Sequence, residues 1–220
     1  MESKLSKQFE TFVFDLDGTL LDTLTDLANS CNRALREFGM PERTVEEVRQ
    51  FLGHGVRRLM GNAVPQGETN PVFEDVLKAF RDDYFAHQFD TTRPYPGIVE
   101  LLGELRQREI RVAVVSNKFN AATCALCRQF FAGLVDVAIG EREGIRKKPE
   151  PDTVYEALRQ LGAKRETAVY VGDSDVDIQT AKNAGIPCIN VLWGFRNRDF
   201  LIAHGATTLV ETPMELLAFA

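Results

Sequence analysis

Short apolar runs alternate with helical patterns along most of the chain. The strongest strand signal is Thr11–Phe14, which comes directly before a polar stretch. Later runs of the same kind cover residues 110–116, 135–139, 168–172 and 187–192, and 207–210 is a weaker one. Apolar residues at helical spacing predict helices at 97–108, 120–131, 151–161, 176–184 and from Pro213 onward. Short strands alternating with helices of this length predict an α/β fold with a Rossmann-like, mostly parallel sheet.

One region departs from this alternation. From Leu20 to about Arg93 we find no convincing strand, and helical periodicity continues through residues 24–38, 45–51, 56–64 and 72–89. Glycine and proline clusters separate these segments, and a proline-rich stretch at 93–97 ends the region. We therefore predict that residues 21–93 form a small helical cap domain, inserted after the first strand of a core made of residues 1–20 and 94–220.

The composition narrows the function classes. Hydrophobic residues make up 44% of the 220 residues and charged residues 26%, which is typical of a globular protein. The net charge of −6 argues against a general nucleic-acid binder. No apolar run approaches the roughly 18 residues that span a bilayer, and the first ten residues are polar, so we expect neither a membrane span nor a secretory signal. Four cysteines are too few for a disulfide scaffold and favour the cytoplasm. The sequence leaves the oligomeric state open.

Acidic side chains follow two of the predicted strands. Asp15 and Asp17 come after the first strand, and Asp173, Asp175 and Asp177 come after the strand at 168–172. Because the carboxyl ends of parallel strands meet at one edge of a sheet, these carboxylates should crowd together and repel. A hard divalent cation, with Mg²⁺ as the best candidate, would compensate their charge. The alternative is that each aspartate simply caps a helix in solvent.

Two further segments could bind a phosphate group. Ser116 and Asn117 offer a hydroxyl and backbone N–H groups just before a predicted helix, which is a common anion site. Lys148 precedes the rigid turn Pro149-Glu150-Pro151 and offers a cation. Taken alone, each segment is also typical of an ordinary helix start or a solvated loop.

Together these segments resemble a known family. Residues 15–23, Ser116-Asn117, 148–151 and 172–177 are similar to the four ordered motifs of the haloacid dehalogenase-like hydrolase superfamily, and the resemblance covers essentially the whole chain. Within that superfamily the chain most resembles phosphoglycolate phosphatases, through residues 26–28, 51–56 and 192–196. The resemblance implies Mg²⁺-dependent hydrolysis of a small phosphorylated metabolite, with 2-phosphoglycolate as the leading candidate.

The resemblance also implies roles for the acidic residues. Asp15 would be the nucleophile that forms an aspartyl-phosphate, and Asp17 would protonate the leaving oxygen and later deprotonate water. Asp15, the backbone carbonyl of Asp17, and Asp173 would bind Mg²⁺. Asp177 would orient water or Lys148 rather than bind the ion directly.

Phosphate recognition and specificity are assigned to other groups. Ser116, the Asn117 amide and Lys148 would stabilise charge on the phosphoryl oxygens. The cap loop at 53–55, which contains His54, precedes Arg57 and Arg58. Our hypothesis is that this loop closes over the leaving group and that an arginine, with Arg57 as first candidate, recognises its carboxylate. The alternative is a helix start that carries surface arginines.

Departures from neighbouring families limit the other possibilities. Asp17 favours phosphoryl transfer over dehalogenation, because dehalogenases of this superfamily lack that second aspartate. Leu27 stands where sugar phosphomutases usually have a histidine, and Lys78 lacks the flanking pattern of a phosphonate hydrolase lysine. Pyrophosphate hydrolysis, broad sugar-phosphate hydrolysis, and a non-catalytic binding module on the same fold remain as alternatives.

Overall fold

The sheet of the protein is built from short strands. The computed structural model describes residues 9–220. Its strands are β1 (Thr11–Phe14), β2 (Leu21–Asp22), β3 (Arg93–Pro94), β4 (Arg111–Phe119), β5 (Val137–Glu141), β6 (Ala168–Gly172), β7 (Cys188–Val191) and β8 (Leu209–Val210). Six of them form one sheet in the order β5-β4-β1-β6-β7-β8, and every neighbouring pair is parallel. The predicted fold class is therefore confirmed.

Helices connect the strands. They are α1 (Leu24–Glu37), α2 (Val45–Phe51), α3 (Val56–Ala63), α4 (Phe73–His87), α5 (Ile98–Gln107), α6 (Asn120–Phe131), α7 (Asp152–Leu161), α8 (Asp175–Ala184) and α9 (Arg198–Ala203). Short 3₁₀ helices lie at Gly67–Thr69, Arg165–Thr167 and Pro213–Phe219. None of the helices in residues 9–220 combines the length and the apolar character that crossing a bilayer requires.

The central strand β1 is buried on both faces of the sheet. Phe12 and Phe14 belong to an apolar cluster that includes the buried faces of α5 and α6, whereas Val13 packs in a second cluster with α7 and α8. Successive side chains of a strand point to opposite faces, so both sets must be apolar. This two-sided burial explains why the strands appear in the sequence as continuous hydrophobic runs rather than as alternating ones.

Helices α1 to α4 share an apolar cluster, to which the core contributes Ala122 of α6. Its largest fully buried side chains include Tyr84, Phe80 and Phe73. The separate cluster supports the predicted cap at residues 21–93, and we call α1 to α4 with their connecting loops the cap, and the remainder the core. The prediction that no strand occurs between Leu20 and Arg93 is corrected at its margins: β2 pairs antiparallel with β3, where the chain leaves the core and returns to it. Two-residue strands are too short to produce a periodic signal.

The strand after α5 is longer than its sequence pattern suggests. We predicted that it ends near Ser116, but β4 continues to Phe119, and α6 follows at Asn120, where the next helix was predicted. The pairing of β4 with β5 shifts register between Val115 and Phe119. The backbone of residues 116–118 therefore lies in an irregular part of the strand, beside the carboxyl end of β1.

Candidate active site

Carboxylates from two neighbouring strand ends converge. Asp15 directly follows β1 and Asp173 directly follows β6, and these strands pair in parallel with Phe14 opposite Val171. One oxygen each of Asp15, Asp173 and Asp177 lies within 4.8 Å of the others, and all three residues are buried. Asp177 reaches this place from the first turn of α8, which begins two residues after Asp173. The edge of the sheet thus concentrates negative charge.

Lys148 is the cation inside this group of acids. Its Nζ donates to Asp15 Oδ1 at 2.7 Å, to Asp177 Oδ1 at 2.8 Å and to the Tyr170 hydroxyl at 3.0 Å. Burial by itself would lower the pKa of Lys148, but the adjacent Asp15 and Asp177 carboxylates outweigh it and hold the pKa above its usual value. Lys148 therefore stays charged and uses its three donors on fixed partners.

Asp177 has both of its oxygens occupied by donors. Oδ1 accepts from Lys148 and from the Tyr170 hydroxyl, the latter at 3.0 Å, and Oδ2 accepts from the backbone N–H of Ser174 at 3.0 Å and from its hydroxyl at 2.6 Å. A carboxylate with this set of partners is suited to orienting Lys148. Asp15 and Asp173 are better placed to offer lone pairs to a cation.

The partners of Asp173 are compatible with a role as a cation ligand. It accepts from the Thr19 hydroxyl at 3.2 Å and from the Phe195 N–H at 2.7 Å. Burial, followed by the nearby Asp177 carboxylate, raises its pKa to about 7, and burial likewise raises the pKa of Asp15. Buried carboxylates this close together fit a hard divalent cation, because its charge would favour their ionised forms.

Asp17 lies beside these groups but has different partners. Its Oδ1 accepts from the Thr23 hydroxyl at 2.7 Å, and the Lys118 Nζ lies 3.0 Å from the same oxygen. Its side chain is 19% exposed, more than that of Asp15 at 10%. Asp15 and Asp17 thus lie in different environments. Asp15 is bound to Lys148 and is the more buried of the two, whereas Asp17 is bound to Thr23 and Lys118 and is more exposed to solvent.

Ser116 and Asn117 join the site from the irregular part of β4. The Ser116 hydroxyl accepts from the backbone N–H of Lys118 at 3.1 Å, which fixes the turn of the chain there. The Asn117 side-chain amide donates to the carbonyls of Gly53 and Lys148, both at 3.0 Å. Asn117 therefore ties β4 to the Lys148 loop and to the cap, in addition to presenting its backbone to the pocket.

These groups line a single pocket between core and cap, with a volume of about 550 Å³ that includes space open to solvent. Most of the lining side chains from the core are charged or polar: Asp15, Asp17, Ser116, Asn117, Lys118, Lys148, Asp173 and Ser174, with Phe195 beside them. The cap contributes apolar residues and glycines: Leu27, Leu52, Gly53, Gly55, Val56 and Leu59. The pocket therefore has one polar wall and one apolar wall.

The two residues proposed for specificity lie elsewhere. Arg57 binds Glu68 at 2.7 Å and Glu74 at 2.6 Å, both within the cap. His54 is exposed, 4.0 Å from Asp175. His54 and Arg57 both line a separate groove beside Lys147. The structure does not bring either side chain into the pocket that holds Asp15.

Sequence reasoning missed several residues that shape the site. Tyr170 and Lys118 both lie within strands, where a buried side chain is normally interpreted as core packing. Gly194 lies in the 192–196 stretch that carries the resemblance, but its packing role was not predicted: a Cβ atom there would overlap the Asp173 side chain and the Gly18 carbonyl. Nothing in the local sequence distinguishes these positions, because their partners lie far away along the chain.

Known proteins are similar to this chain in sequence and in overall structure. Residues 12–191 match the sequence model of a family described as haloacid dehalogenase-like hydrolase. A phosphoglycolate phosphatase of Mesorhizobium japonicum is 35% identical over 219 residues, covering 94% of this chain and 96% of the relative. A phosphoglycolate phosphatase of Aquifex aeolicus is 34% identical over 184 residues, covering 83% of this chain and 84% of the relative.

A solved structure of CbbY from Rhodobacter sphaeroides, a mutant in complex with xylulose-(1,5)bisphosphate, superposes with a TM-score of 0.79 at 28% identity, over 96% of this chain and 99% of that one.

Proposed function

The chain belongs to the haloacid dehalogenase-like hydrolase family and is a phosphoric monoester hydrolase, and from this premise we propose that it is a magnesium-dependent phosphatase whose leading substrate is 2-phosphoglycolate. The observation that carries the proposal is the convergence of Asp15, Asp17, Ser116, Lys148 and Asp173 on one pocket. The names of the relatives in Mesorhizobium japonicum and Aquifex aeolicus support the choice of substrate.

Asp15 acts as the nucleophile in the first step. One of its carboxylate oxygens attacks phosphorus while the bond between phosphorus and the leaving oxygen breaks. Asp17 donates a proton to that oxygen, which departs as the hydroxyl of an alcohol. Lys148 holds the Asp15 carboxylate at 2.7 Å, so the attacking group is oriented before substrate arrives.

Water completes the reaction in the second step. Asp17, now ionised, takes a proton from water as the water oxygen attacks phosphorus. The bond between Asp15 and phosphorus breaks, which releases inorganic phosphate and restores the carboxylate. The Thr23 hydroxyl, 2.7 Å from Asp17, keeps this carboxyl oriented in both steps.

Charge on the transferred phosphoryl oxygens is met by the polar wall. Ser116, Asn117 and Lys148 line the pocket. The Ser116 hydroxyl and the Asn117 backbone N–H would donate to these oxygens, and Lys148, whose donors are held by Asp15, Asp177 and Tyr170, would stabilise them by its positive charge. Asp15, the Asp17 carbonyl and Asp173 would hold Mg²⁺, and a bound Mg²⁺ neutralises charge on the phosphoryl group. Asp177 would orient Lys148, since its oxygens already accept from Lys148, Tyr170 and Ser174.

The test is phosphate release from a panel that includes 2-phosphoglycolate, sugar phosphates and pyrophosphate, measured before and after removal of metal with a chelator. We expect the largest kcat/KM for 2-phosphoglycolate, loss of activity with the chelator, and recovery on addition of Mg²⁺. After an acid quench, mass spectrometry should find a phosphorylated Asp15 peptide in the wild type and none in Asp15→Asn.

Other results would favour the alternatives. A larger kcat/KM for pyrophosphate, or similar kcat/KM values for many sugar phosphates, would show that 2-phosphoglycolate is not the preferred substrate. No metal-dependent difference between the wild type and Asp15→Asn would indicate a binding module. We also propose a cytoplasmic location, which the four free cysteines support.

A further inference from the structure

Lys118 is a buried cation that the proposed reaction does not yet use. It lies on β4, two residues after Ser116, and its side chain is only 2% exposed. Its Nζ lies 3.0 Å from Asp17 Oδ1 and 4.4 Å from the centre of the Tyr84 ring. Tyr84 belongs to α4, so Lys118 is placed where the core meets the cap.

Lys118 remains charged in this position. Burial by itself would lower its pKa, but the Asp17 carboxylate and Tyr84 outweigh that effect and keep the pKa above its usual value. The aromatic face of Tyr84 adds a favourable cation–π contact. The pocket therefore contains a second fixed positive charge, on the side where Asp17 faces the leaving group.

The two lysines of the pocket differ in what they have left to offer. An ammonium group has three donors, and Lys148 directs its Nζ to three partners: Asp15, Asp177 and Tyr170. Among the described residues, Lys118 has two partners for its three donors, the Asp17 carboxylate and the Tyr84 side chain. Lys118 is thus the pocket lysine with donor capacity for another anion.

The cap offers no competing cation in the pocket. Within residues 9–220, the cap side chains that line it are Leu27, Leu52, Val56 and Leu59, and the remaining cap positions there are glycines. A buried anionic group is costly unless it is paired and hydrogen-bonded. A leaving group that carries a negative charge must therefore find its partner on the core wall, and Lys118 is the group in position.

We propose that Lys118 is the specificity-determining residue, which binds a carboxylate on the leaving group beside Asp17. The inference rests on the proposed phosphatase function and names the substrate class of the same site: small phosphomonoesters whose alcohol carries an anion next to the ester oxygen. Lys118 lies beside Asp17, the group that protonates that oxygen, so the anion must be close to it. Glycolate meets this condition, because its carboxylate and hydroxyl are attached to one carbon.

The test compares two substrates of nearly the same shape, 2-phosphoglycolate and hydroxyacetone phosphate, in which a methyl group replaces the charged oxygen. Lys118→Met should lower kcat/KM for 2-phosphoglycolate about 10- to 100-fold more than for hydroxyacetone phosphate, since a charge-assisted hydrogen bond is lost with one substrate only. Lys164→Met, a change at an exposed lysine, is the matched control and should leave both values unchanged.

A parallel loss with both substrates would overturn the inference, because Lys118 would then serve only Asp17. It would also fall if Arg57→Met changed the substrate ratio and Lys118→Met did not. Failure of the wild type to hydrolyse either ester would instead refute the proposed function.

Binding measurements separate recognition from chemistry. In an Asp15→Asn background, calorimetry should give weaker binding of 2-phosphoglycolate when Lys118→Met is added, with the affinity for inorganic phosphate preserved. If Lys118→Met does not fold, Lys118→Gln decides the question, because Gln keeps a donor for Asp17 and removes the charge. Unchanged binding of 2-phosphoglycolate by a folded variant would contradict the role of Lys118.

Discussion

The two walls of the pocket are built from different chemistry. The core wall carries the ionised and hydrogen-bonding groups, and each is fixed by buried partners, as Lys148 is by Asp15, Asp177 and Tyr170. The cap wall consists of apolar side chains such as Leu59 and Val56, together with Gly53 and Gly55. In the proposed reaction, the core would therefore perform the bond making and breaking, whereas the cap would exclude water and limit the shape of the leaving group.

Hydrogen bonds connect the two regions next to the pocket. Arg196 of the core donates to the carbonyls of Arg49, Gln50 and Leu52, at the carboxyl end of α2. On the core side, the neighbouring Phe195 donates its N–H to Asp173. One short loop therefore holds both an acid of the core and the edge of the cap, so cap position and site geometry are linked.

The largest expected effect is at Lys148 in the core. Lys148→Met should lower kcat by about 10²- to 10³-fold, because it removes a fixed positive charge beside the phosphoryl group and leaves Asp15 and Asp177 without their cation. Phosphate release under saturating substrate measures it. The adjacent Lys147 is half-buried, and within the described residues its ammonium group donates only to the His54 carbonyl, at 3.5 Å, so Lys147→Met should change kcat little. Equal losses for the two variants would contradict the assignment.

Gly194 tests how closely the core wall is packed. In Gly194→Ala, the new Cβ would overlap the Asp173 side chain and the Gly18 carbonyl, so Asp173 must move. We expect the Mg²⁺ concentration for half-maximal activity to rise about 10- to 100-fold, as for other disturbances of the shell around a metal ligand.

A second readout and a control make the Gly194 result specific. The increase in melting temperature on addition of Mg²⁺ should shrink in Gly194→Ala, because weaker binding stabilises the folded state less. Gly103→Ala places its Cβ in open space and should leave both measurements near the wild type. A normal Mg²⁺ response in folded Gly194→Ala would show that Asp173 tolerates the displacement.

Arg196 tests the link between the two regions. Arg196→Ala removes the hydrogen bonds to the carboxyl end of α2, and the loop that follows should lose its position over the pocket. We expect KM to rise about 10-fold with kcat changed little, because the net loss of such hydrogen bonds is modest and the groups of the core stay in place. Steady-state kinetics measures the split. A fall in kcat with constant KM would mean that the cap takes part in the chemical steps.

The smallest effect is expected at Asp26, which connects α1 to the segment that leads from the cap back into the core. Its carboxylate accepts from the N–H and hydroxyl groups of both Thr91 and Thr92. Burial by itself would raise the pKa of Asp26, but these donors lower it below the usual 3.8. The carboxylate therefore stabilises the fold above the unfolded-state pKa, and this contribution is lost as pH falls through the folded-state pKa.

Thermal unfolding as a function of pH tests the role of Asp26. Asp26→Asn should melt a few degrees below the wild type at about pH 7, with the difference shrinking below about pH 4. Asp22→Asn, at an exposed residue of β2, is the control and should show little change at either pH. A difference that grows in acid would contradict the sign of the pKa shift.

The agreement between sequence and structure is best where the signal is local. Runs such as Thr11–Phe14 are apolar because both faces of a parallel sheet are covered. Because Asp15 directly follows such a run, it lies at the edge of the sheet where the carboxyl ends of the strands meet. The pairing of β2 with β3 could not be predicted, because a two-residue strand is too short to show a hydrophobic period and the two strands are separated in sequence by the whole cap. The extension of β4 to Phe119 depends on a register shift against β5 in the same way.

The sequence by itself determined the α/β architecture and the identity of the acids and the lysine at the strand ends, because periodicity and motif spacing are properties of neighbouring residues. Only the tertiary structure decided that Arg57 binds Glu68 and Glu74 within the cap, while Lys118 faces the pocket beside Asp17. Which charges become partners depends on distances between segments far apart in the chain, and burial then fixes that choice because an unpaired charge is costly.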